Sequence, residues 1–501
     1  MKHTAKLLVL VAVAAALAQA GCNDPLTVKL PDIIPPSALS DSAALATLRA
    51  GAIGDFDIAY TGDHPDGSGG TGEGVILYGG LLADELVNSE TFPTRIQVDS
   101  RNITYAAGST TNSDVDLWYR LMHRARRAAE ATAARYRAIA PADPGYPEML
   151  TLAGYTYIFF AETFCSGTPV SQIDTTGKIT YGQPLTTTQL LDTAIARFDS
   201  AIHIATVRDS ADTISQKALI NFASVGKARA LLFQGSGQYA AAAAVAITVP
   251  TSFVYQLQHT TTTDRENNGV FNGGATDGRY SISDSVQNPQ TRADSATRSQ
   301  EGINGFPFLR PDSLADPRTP IALDPGGSFD GATPLWDNLR YGSRASPITL
   351  ATGVEARLIE AEAALGAGQF GTFLTKLNDP RTQPGARAYF NPNPVDLTNP
   401  QTAAIPALAP LTAADTVSAG GAVNLLFAER ARWLWLTAHR LGDLRRLVRS
   451  LASGGYGRAD ALVWPTGPYF KGGDYGTDEN FPLPVTEQNN PNFRGCLDRN
   501  P

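Results

Sequence analysis

Side chains suited to metal or redox chemistry are scarce: the 501 residues hold three cysteines, six histidines and three methionines. The histidines (His3, His64, His123, His203, His259 and His439) form no His-x-x-x-His pair, and none neighbours an acid at ligand spacing. Cys22, Cys165 and Cys496 lie too far apart for a zinc site, so no metal and no cofactor is expected. Positive charge is not in excess: 40 Lys and Arg against 48 Asp and Glu leave a net charge of −8. That balance argues against nucleic acid as a partner, because phosphate binding needs a basic surface. No Gly-x-Ser-x-Gly elbow occurs. The glycine-rich stretch from Thr61 to Gly74 has no strand feeding it and no Gly-Lys-Ser/Thr closing it, so it reads as a loop and not as a phosphate cradle. Carboxylate pairs such as Asp84-Glu85 and Glu360/Glu362 are present, but a chain with 48 acids has such pairs without catalysis. A binding protein is expected, not an enzyme.

What the chain does have is a large core and an address. Apolar residues make up 43% and charged residues 18%, which excludes global disorder. Leu7–Ala18 is an apolar run of 12 residues behind Lys2 and Lys6. A bilayer span needs about 20, so this run is the core of an export signal and no other segment approaches spanning length. Two cleavage sites compete. Ala18-Gln19-Ala20 fits an ordinary signal peptidase, whereas Ala20-Gly21-Cys22 resembles a lipobox, with Gln19 where an apolar residue is usual. The lipobox is preferred, which makes residues 1–21 the signal, Cys22 a lipidated first residue and 22–36 a proline-blocked extended tether. With Cys22 set aside, Cys165 and Cys496 are an even pair in an oxidising setting. A disulfide is expected, with two buried thiols as the alternative.

From residue 37 the periodicity is helical. Helices are predicted over Ser37–Ala59, Asp114–Ala140, Glu148–Phe164, Thr187–Thr206, Ile214–Gln234, Tyr239–Val249, Gly353–Leu365, Phe370–Leu377 and Val423–Leu451, with weak strand signals at Val75–Leu77 and Phe253–Leu257. Two joints share a form: Gly235-Ser236-Gly237-Gln238 before Tyr239, and Gly366-Ala367-Gly368-Gln369 before Phe370. An alanine-rich first helix and an aromatic plug are the logic of tetratricopeptide-type hairpins, which stack because one unit cannot bury its own face. The expected class is mainly α: helical hairpins in one superhelical scaffold, with few short strands. A long excursion over about residues 250–350 carries Tyr255, Phe271, Tyr280, Phe306, Phe308, Phe329, Trp336 and Tyr341, too many aromatics for a disordered tail.

The stretch Glu429-Arg430 with Arg440-x-x-Asp443-Leu444-x-Arg446 resembles the C-terminal signature of the SusD/RagB family, with Trp433 in place of a second Glu and Thr437-Ala438 in place of a Glu-Gly. Asp316-Pro317-Arg318 before Arg340-Tyr341, the helix Arg357–Leu365, Leu377-Asn378 with Arg381, and Phe481-Pro482-Leu483-Pro484 with Asn490-Pro491 agree with the same family in the same order. On the 423–451 helix, Arg440 and Asp443 are placed to meet on one face, as are Glu429 and Arg432 or Trp433, and a scaffold role is expected for them. The resemblance implies a lipoprotein of the outer membrane, facing outward. It would capture an oligosaccharide or peptide without altering it and pass it to a SusC-like, TonB-dependent barrel. Ligand contacts are expected on loops between hairpins, with Phe92, Tyr280, Trp336 and Tyr341 as candidates. The other reading is a helical-repeat scaffold for protein partners at the cell envelope.

Overall fold

A computed structural model describes residues 42–62, 73–174, 176–207, 213–282, 316–383 and 405–500. The export signal, Cys22, the tether and most of the glycine-rich loop lie outside the described residues, as do Phe306 and Phe308. Two compact units divide the chain, Met1–Leu45 and Ala46–Pro501. Of the first, only the start of the first helix is described.

The described helices begin with α1 (Ala44–Thr61), α2 (Val75–Leu82), α3 (Pro93–Asp99), α4 (Ser113–Ile139) and α5 (Gly145–Thr163). The α2 segment overturns the strand expected at Val75–Leu77: all eight of its residues are buried, and a run apolar on every side fits a core helix as well as a core strand. Helix α4 starts where Asn112 accepts the backbone N–H groups of Asp114 and Val115, both at 3.1 Å. Asp114 and Asp116 in its first turn and Arg137 in its last complement the helix dipole.

Helices α6 (Thr187–Val207) and α7 (Thr213–Gln234) pack onto α5 through one ring. Phe198 fills the space left by two glycines: a Cβ on Gly154 would sit 2.6 Å from the ring, and one on Gly226 2.5 Å from it. A short α8 (Tyr239–Ala246) follows, and α9 (Gly353–Gly366) and α10 (Phe370–Thr382) make the second hairpin. The two hairpins meet where Tyr239 packs over Gly366 and its hydroxyl donates to Glu362 at 3.2 Å. The second joint differs from expectation. Phe370 is 38% exposed, and Phe373 is the buried ring.

Among the described residues the strands are short and pair only in twos, all antiparallel: β1 (Leu86–Asn88) with β7 (Tyr280–Ile282), β2 (Thr168–Pro169) with β5 (Pro184–Leu185), β3 (Gln172–Ile173) with β4 (Ile179–Thr180), β6 (Val254–Leu257) with β10 (Ile348–Thr352), and β8 (Ile321–Leu323) with β9 (Trp336–Asn338). The β1–β7 pair sets Leu86 against Ile282 and Asn88 against Tyr280. No helix among the described residues is long and apolar enough to cross a membrane.

The helix expected over Val423–Leu451 is two. After α11 (Ala413–Ser418), α12 runs Ala422–Trp433 and α13 Arg440–Val448, with Leu436 at φ 52° and Ala438 at φ 60° between them. Side chains from distant segments hold this break. Tyr60 donates to the Thr437 carbonyl at 3.0 Å, Tyr341 to that of Leu436 at 3.0 Å and Arg229 to that of Ala438 at 2.6 Å, while Glu85 accepts the Leu436 N–H at 2.9 Å. Local helix propensity loses to this set of buried hydrogen bonds, because an unpaired buried carbonyl or N–H costs about 1–3 kcal/mol.

Most of the charged residues that carry the family resemblance are buried around the break, and Asp316 and Arg381 are half-buried. Asp443 does not meet Arg440, which donates to the Ala83 carbonyl at 3.3 Å. It meets Arg430 and Arg446. Glu429 takes Arg318 at 2.7 Å, Arg381 at 2.9 Å and, as the spacing predicts, the Trp433 indole N–H at 3.2 Å. Asp316 takes Arg318 and Arg432. These are packing contacts between elements, not a surface for a ligand.

The C-terminal segment straps α2, α4 and the end of α5. Phe481 lies between the rings of Tyr78, Trp118 and Phe164, and Cys496 is bonded to Cys165 with their Cα atoms 5.6 Å apart. The pairing expected from cysteine parity is present.

Candidate functional site

The four aromatics named from sequence fall in three environments. Tyr280 and Tyr341 are core residues, each 2% exposed, which corrects their assignment as ligand contacts. The Tyr280 hydroxyl accepts from Arg95 at 3.0 Å and donates to Glu73 at 3.1 Å, and that of Tyr341 holds the Leu436 carbonyl. Trp336 is half-buried on β9, its backbone N–H donating to Ser281 Oγ at 2.9 Å. Phe92 is 44% exposed at the start of α3 and has company.

Its neighbour is Phe329, 48% exposed, with ring centroids 5.8 Å apart and planes tilted by 39°. The Arg279 guanidinium lies over both rings, 5.3 Å from the Phe92 centroid and 4.6 Å from that of Phe329. The three side chains form a platform from segments that strand pairing brings together. Asn88 at the end of β1 faces Tyr280 at the start of β7, so Arg279 and the chain leading to Phe92 emerge from the same end. Tyr280, next along the chain, is buried with the rest of β7. Sequence reasoning placed Phe92 here and noted Phe329 among the aromatics of the excursion. It had no signal for Arg279.

Backbone hydrogen bonds fix the platform. Ser89 N–H donates to the Arg279 carbonyl at 3.0 Å, Phe329 N–H to that of Gly278 at 2.9 Å and Asp330 N–H to that of Ser89 at 3.1 Å. Asp330 ties its own loop by accepting from the N–H groups of Ala332 and Thr333 at 2.9 and 2.8 Å and from the Thr333 hydroxyl at 2.7 Å. Lys471 pairs with Asp330 and donates to the Glu90 carbonyl at 2.6 Å. Burial opposes ionisation of Asp330, yet Lys471 and the Thr333 donors hold its carboxyl well below the usual range. Beneath the rings, burial raises Glu90 and pushes Glu73 up to about 8, opposed in both by Arg95.

The arrangement offers two exposed apolar faces with a guanidinium between them on a rigid base. Such a surface can stack on the C–H face of a ring while the guanidinium and nearby carbonyls bond its hydroxyls. Away from it, Asp337 beside Trp336 is pushed up to about 7 by burial and by Asp324. Among the described residues, no group of three or more His, Cys, Asp or Glu is gathered as metal ligands would be.

No family model and no curated protein matches the chain in sequence. Solved structures do match in fold. A SusD/RagB family protein from Bacteroides thetaiotaomicron superposes with a TM-score of 0.59 at 13% identity, covering 89% of this chain and 94% of that one. Surface glycan-binding protein A from Bacteroides uniformis gives 0.57 at 12% identity, with 92% and 99% covered. A SusD-like carbohydrate binding protein from Bacteroides vulgatus gives 0.50 at 13% identity, with 80% and 82% covered. The fold of this chain is that of the SusD/RagB proteins.

Proposed function

We propose that this protein is a surface lipoprotein that binds an oligosaccharide on the Phe92–Arg279–Phe329 platform and passes it, unaltered, to a SusC-like TonB-dependent barrel in the outer membrane. The exposed aromatic pair bridged by a guanidinium carries the reading. Large apolar side chains held out in water on a rigid loop base suit a ligand with a ring face to cover them. The fold supports it, since two of the similar structures are described as glycan-binding and carbohydrate-binding proteins. Glycan is preferred to peptide on that ground. Lipidation of Cys22 rests on the Ala20-Gly21-Cys22 sequence and the preceding apolar run, and the outward-facing position on the resemblance to the SusD/RagB family.

The test has three arms. Calorimetry against a panel of neutral oligosaccharides should find a ligand, and Phe92→Ala or Phe329→Ala should weaken it by about 2 kcal/mol, roughly thirtyfold. Mass spectrometry of the same mixtures should find no product; turnover abolished by one carboxylate substitution would replace the binding role with catalysis. Fatty-acid labelling should mark the wild type and not Cys22→Ala. A protein that binds no glycan and co-purifies with no barrel from native membranes would be a scaffold for other partners.

A further inference from the structure

Away from the platform, a cleft of about 700 Å³ opens between the start of α6, the end of α13 and the C-terminal strap. Its volume falls in the range of small-molecule sites, roughly 300–1,000 Å³. Two features of its wall are electrostatic, and they are independent of each other.

The first is a buried cation that makes no ion-pair contact with a described carboxylate. Arg445 is 1% exposed and lines the cleft. Its single hydrogen bond among the described residues runs from Nη1 to the Ala161 carbonyl at 3.0 Å, and its Nε–H has no partner. No carboxylate of the described residues lies within 4.0 Å of it. The other buried arginines nearby are built differently: Arg430 and Arg446 both hold Asp443, and Arg229 holds Glu162. A second guanidinium, Arg449, lines the same cleft over the Phe233 ring at 4.4 Å, where it adds positive potential. Burial first, and Arg449 second, lower the proton affinity of Arg445, and the acids around it, Glu479, Glu162 and Asp498, offset them only in part. Asp498 is the acid among the lining residues, and its Oδ1 is engaged with the N–H of Asn500 at 2.8 Å.

The second feature is the N-terminus of α6, a helix of 21 residues. Thr186 and Gln189 form a capping box, the Thr186 N–H donating to Gln189 at 2.9 Å and the Gln189 N–H to Thr186 at 3.2 Å. That leaves the first two helical N–H groups, of Thr187 and Thr188, outside the intrahelical ladder. Thr187 N–H reaches Ser166 Oγ only at 3.4 Å. Thr187, Thr188 and Ser166 all line the cleft. A helix N-terminus favours negative charge through its oriented N–H groups, and a buried guanidinium requires it.

We propose that this cleft is a second ligand site, taking a ligand of sugar size whose oxyanion (sulfate, phosphate or carboxylate) sits between Arg445 and the N-terminus of α6. The planar fork of a guanidinium matches such an anion with two parallel hydrogen bonds. The lining hydroxyls suit the remaining polar groups of a small sugar. The proposal stands whether or not the platform binds glycan, since no residue is shared between the two.

The experiment uses the purified chain in buffer free of sulfate and phosphate, with glucose 6-sulfate, glucose 6-phosphate, glucuronate, glucose and inorganic sulfate as probes. Calorimetry should show saturable binding of at least one anionic sugar and none of glucose, with a matching rise in melting temperature. Inorganic sulfate should bind more weakly; equal affinity would overturn the sugar-sized part of the proposal. Arg445→Met should fold and lose about tenfold or more in affinity. Leu497 is 49% exposed on the rim, so Leu497→Glu should leave the fold intact and weaken binding by repulsion even if the arginine variant does not fold. No saturable binding of any anionic probe at millimolar concentration, or affinity unchanged in Leu497→Glu, would overturn the site.

Discussion

Arg430 at the end of one helix and Asp443 in the next clasp each other across the broken C-terminal segment, with both guanidinium–carboxylate contacts at 2.8 Å. The clasp spans six residues of non-helical or strained backbone, and both partners are buried. It closes the break from within, while Tyr60, Tyr341, Arg229 and Glu85 hold it from outside.

Removing one partner leaves the other charge buried without its mate, so Asp443→Asn should cost about 3–5 kcal/mol in urea unfolding. The pair also sets an acid limit. Burial opposes ionisation of Asp443, but Arg430 and Arg446 hold its carboxyl well below the usual range. A depressed carboxyl contributes stability that is complete above its unfolded pKa, about 4, and is lost as pH falls toward the folded value. Wild type should therefore weaken steeply below pH 4, and the asparagine variant should show a flatter limb there.

The break marks where local reading stops. Leu434–Ala438, apolar but for Thr437, holds no glycine or proline and continues the helical spacing on either side, so nothing within the segment announces an interruption. The groups that impose it come from Tyr60, Glu85, Arg229 and Tyr341, far away along the chain. Contacts of that range leave no periodic trace. The hairpin joints were legible because a glycine turn and its flanking helices are local. The platform was half legible. An exposed aromatic after Asp84-Glu85 could be suspected, but its meeting with Arg279 and Phe329 depends on a strand pair between Leu86 and Ile282. The misplaced Tyr280 shows the same limit at single-residue scale. It is buried while Arg279, next to it, lies over the two rings, and sequence offered no signal to choose between them.

Asp337 gives the opposite pH signature from Asp443. Burial and the adjacent Asp324 raise its folded pKa to about 7, so between its unfolded pKa and that value the native state holds the extra proton. Stability contributed by such a group is present at low pH and lost as pH rises through the folded pKa. Asp337→Asn keeps a neutral side chain at every pH. It should be near neutral at pH 5 and stabilising by roughly 1–2 kcal/mol at pH 8. Thermal melts of both proteins across that range measure the crossover, and a pH-independent difference would contradict it.

Phe198 makes a test of packing. With a Cβ at Gly154 only 2.6 Å from its ring, Gly154→Ala must displace the ring or part α5 from α6. Overpacking of this kind costs typically 1–3 kcal/mol. The gain in helix propensity from replacing a mid-helix glycine offsets about 1 kcal/mol of that. Phe198→Leu in the same chain should restore most of the loss by returning the space. Failure of that rescue would place the strain elsewhere than at the ring.

The Cys165–Cys496 bond closes a loop of 331 positions, and chain entropy alone gives such a cross-link a stabilisation of several kcal/mol, about 2–5 in practice. The strap it holds has other attachments. Phe481 sits among Tyr78, Trp118 and Phe164, Cys165 N–H donates to the Phe481 carbonyl at 2.9 Å, and Leu497 N–H donates to that of Ser166 at 2.8 Å. These attachments divide the strap into a part that packs and a part that is only tied. The ring cluster fixes the chain near 481 without help. Beyond it, Arg494, Leu497 and Asp498 are half-buried or exposed, and the disulfide is the strongest tie there. Cys496→Ser should accordingly lower the melting temperature while leaving near-ultraviolet dichroism, dominated by the buried aromatics, unchanged at 25 °C. Limited proteolysis should cut the variant after Arg494 or Arg499 well before any other site, and the wild type much later. Cleavage spread evenly over the chain would mean that the bond stabilises the whole fold and not the strap alone.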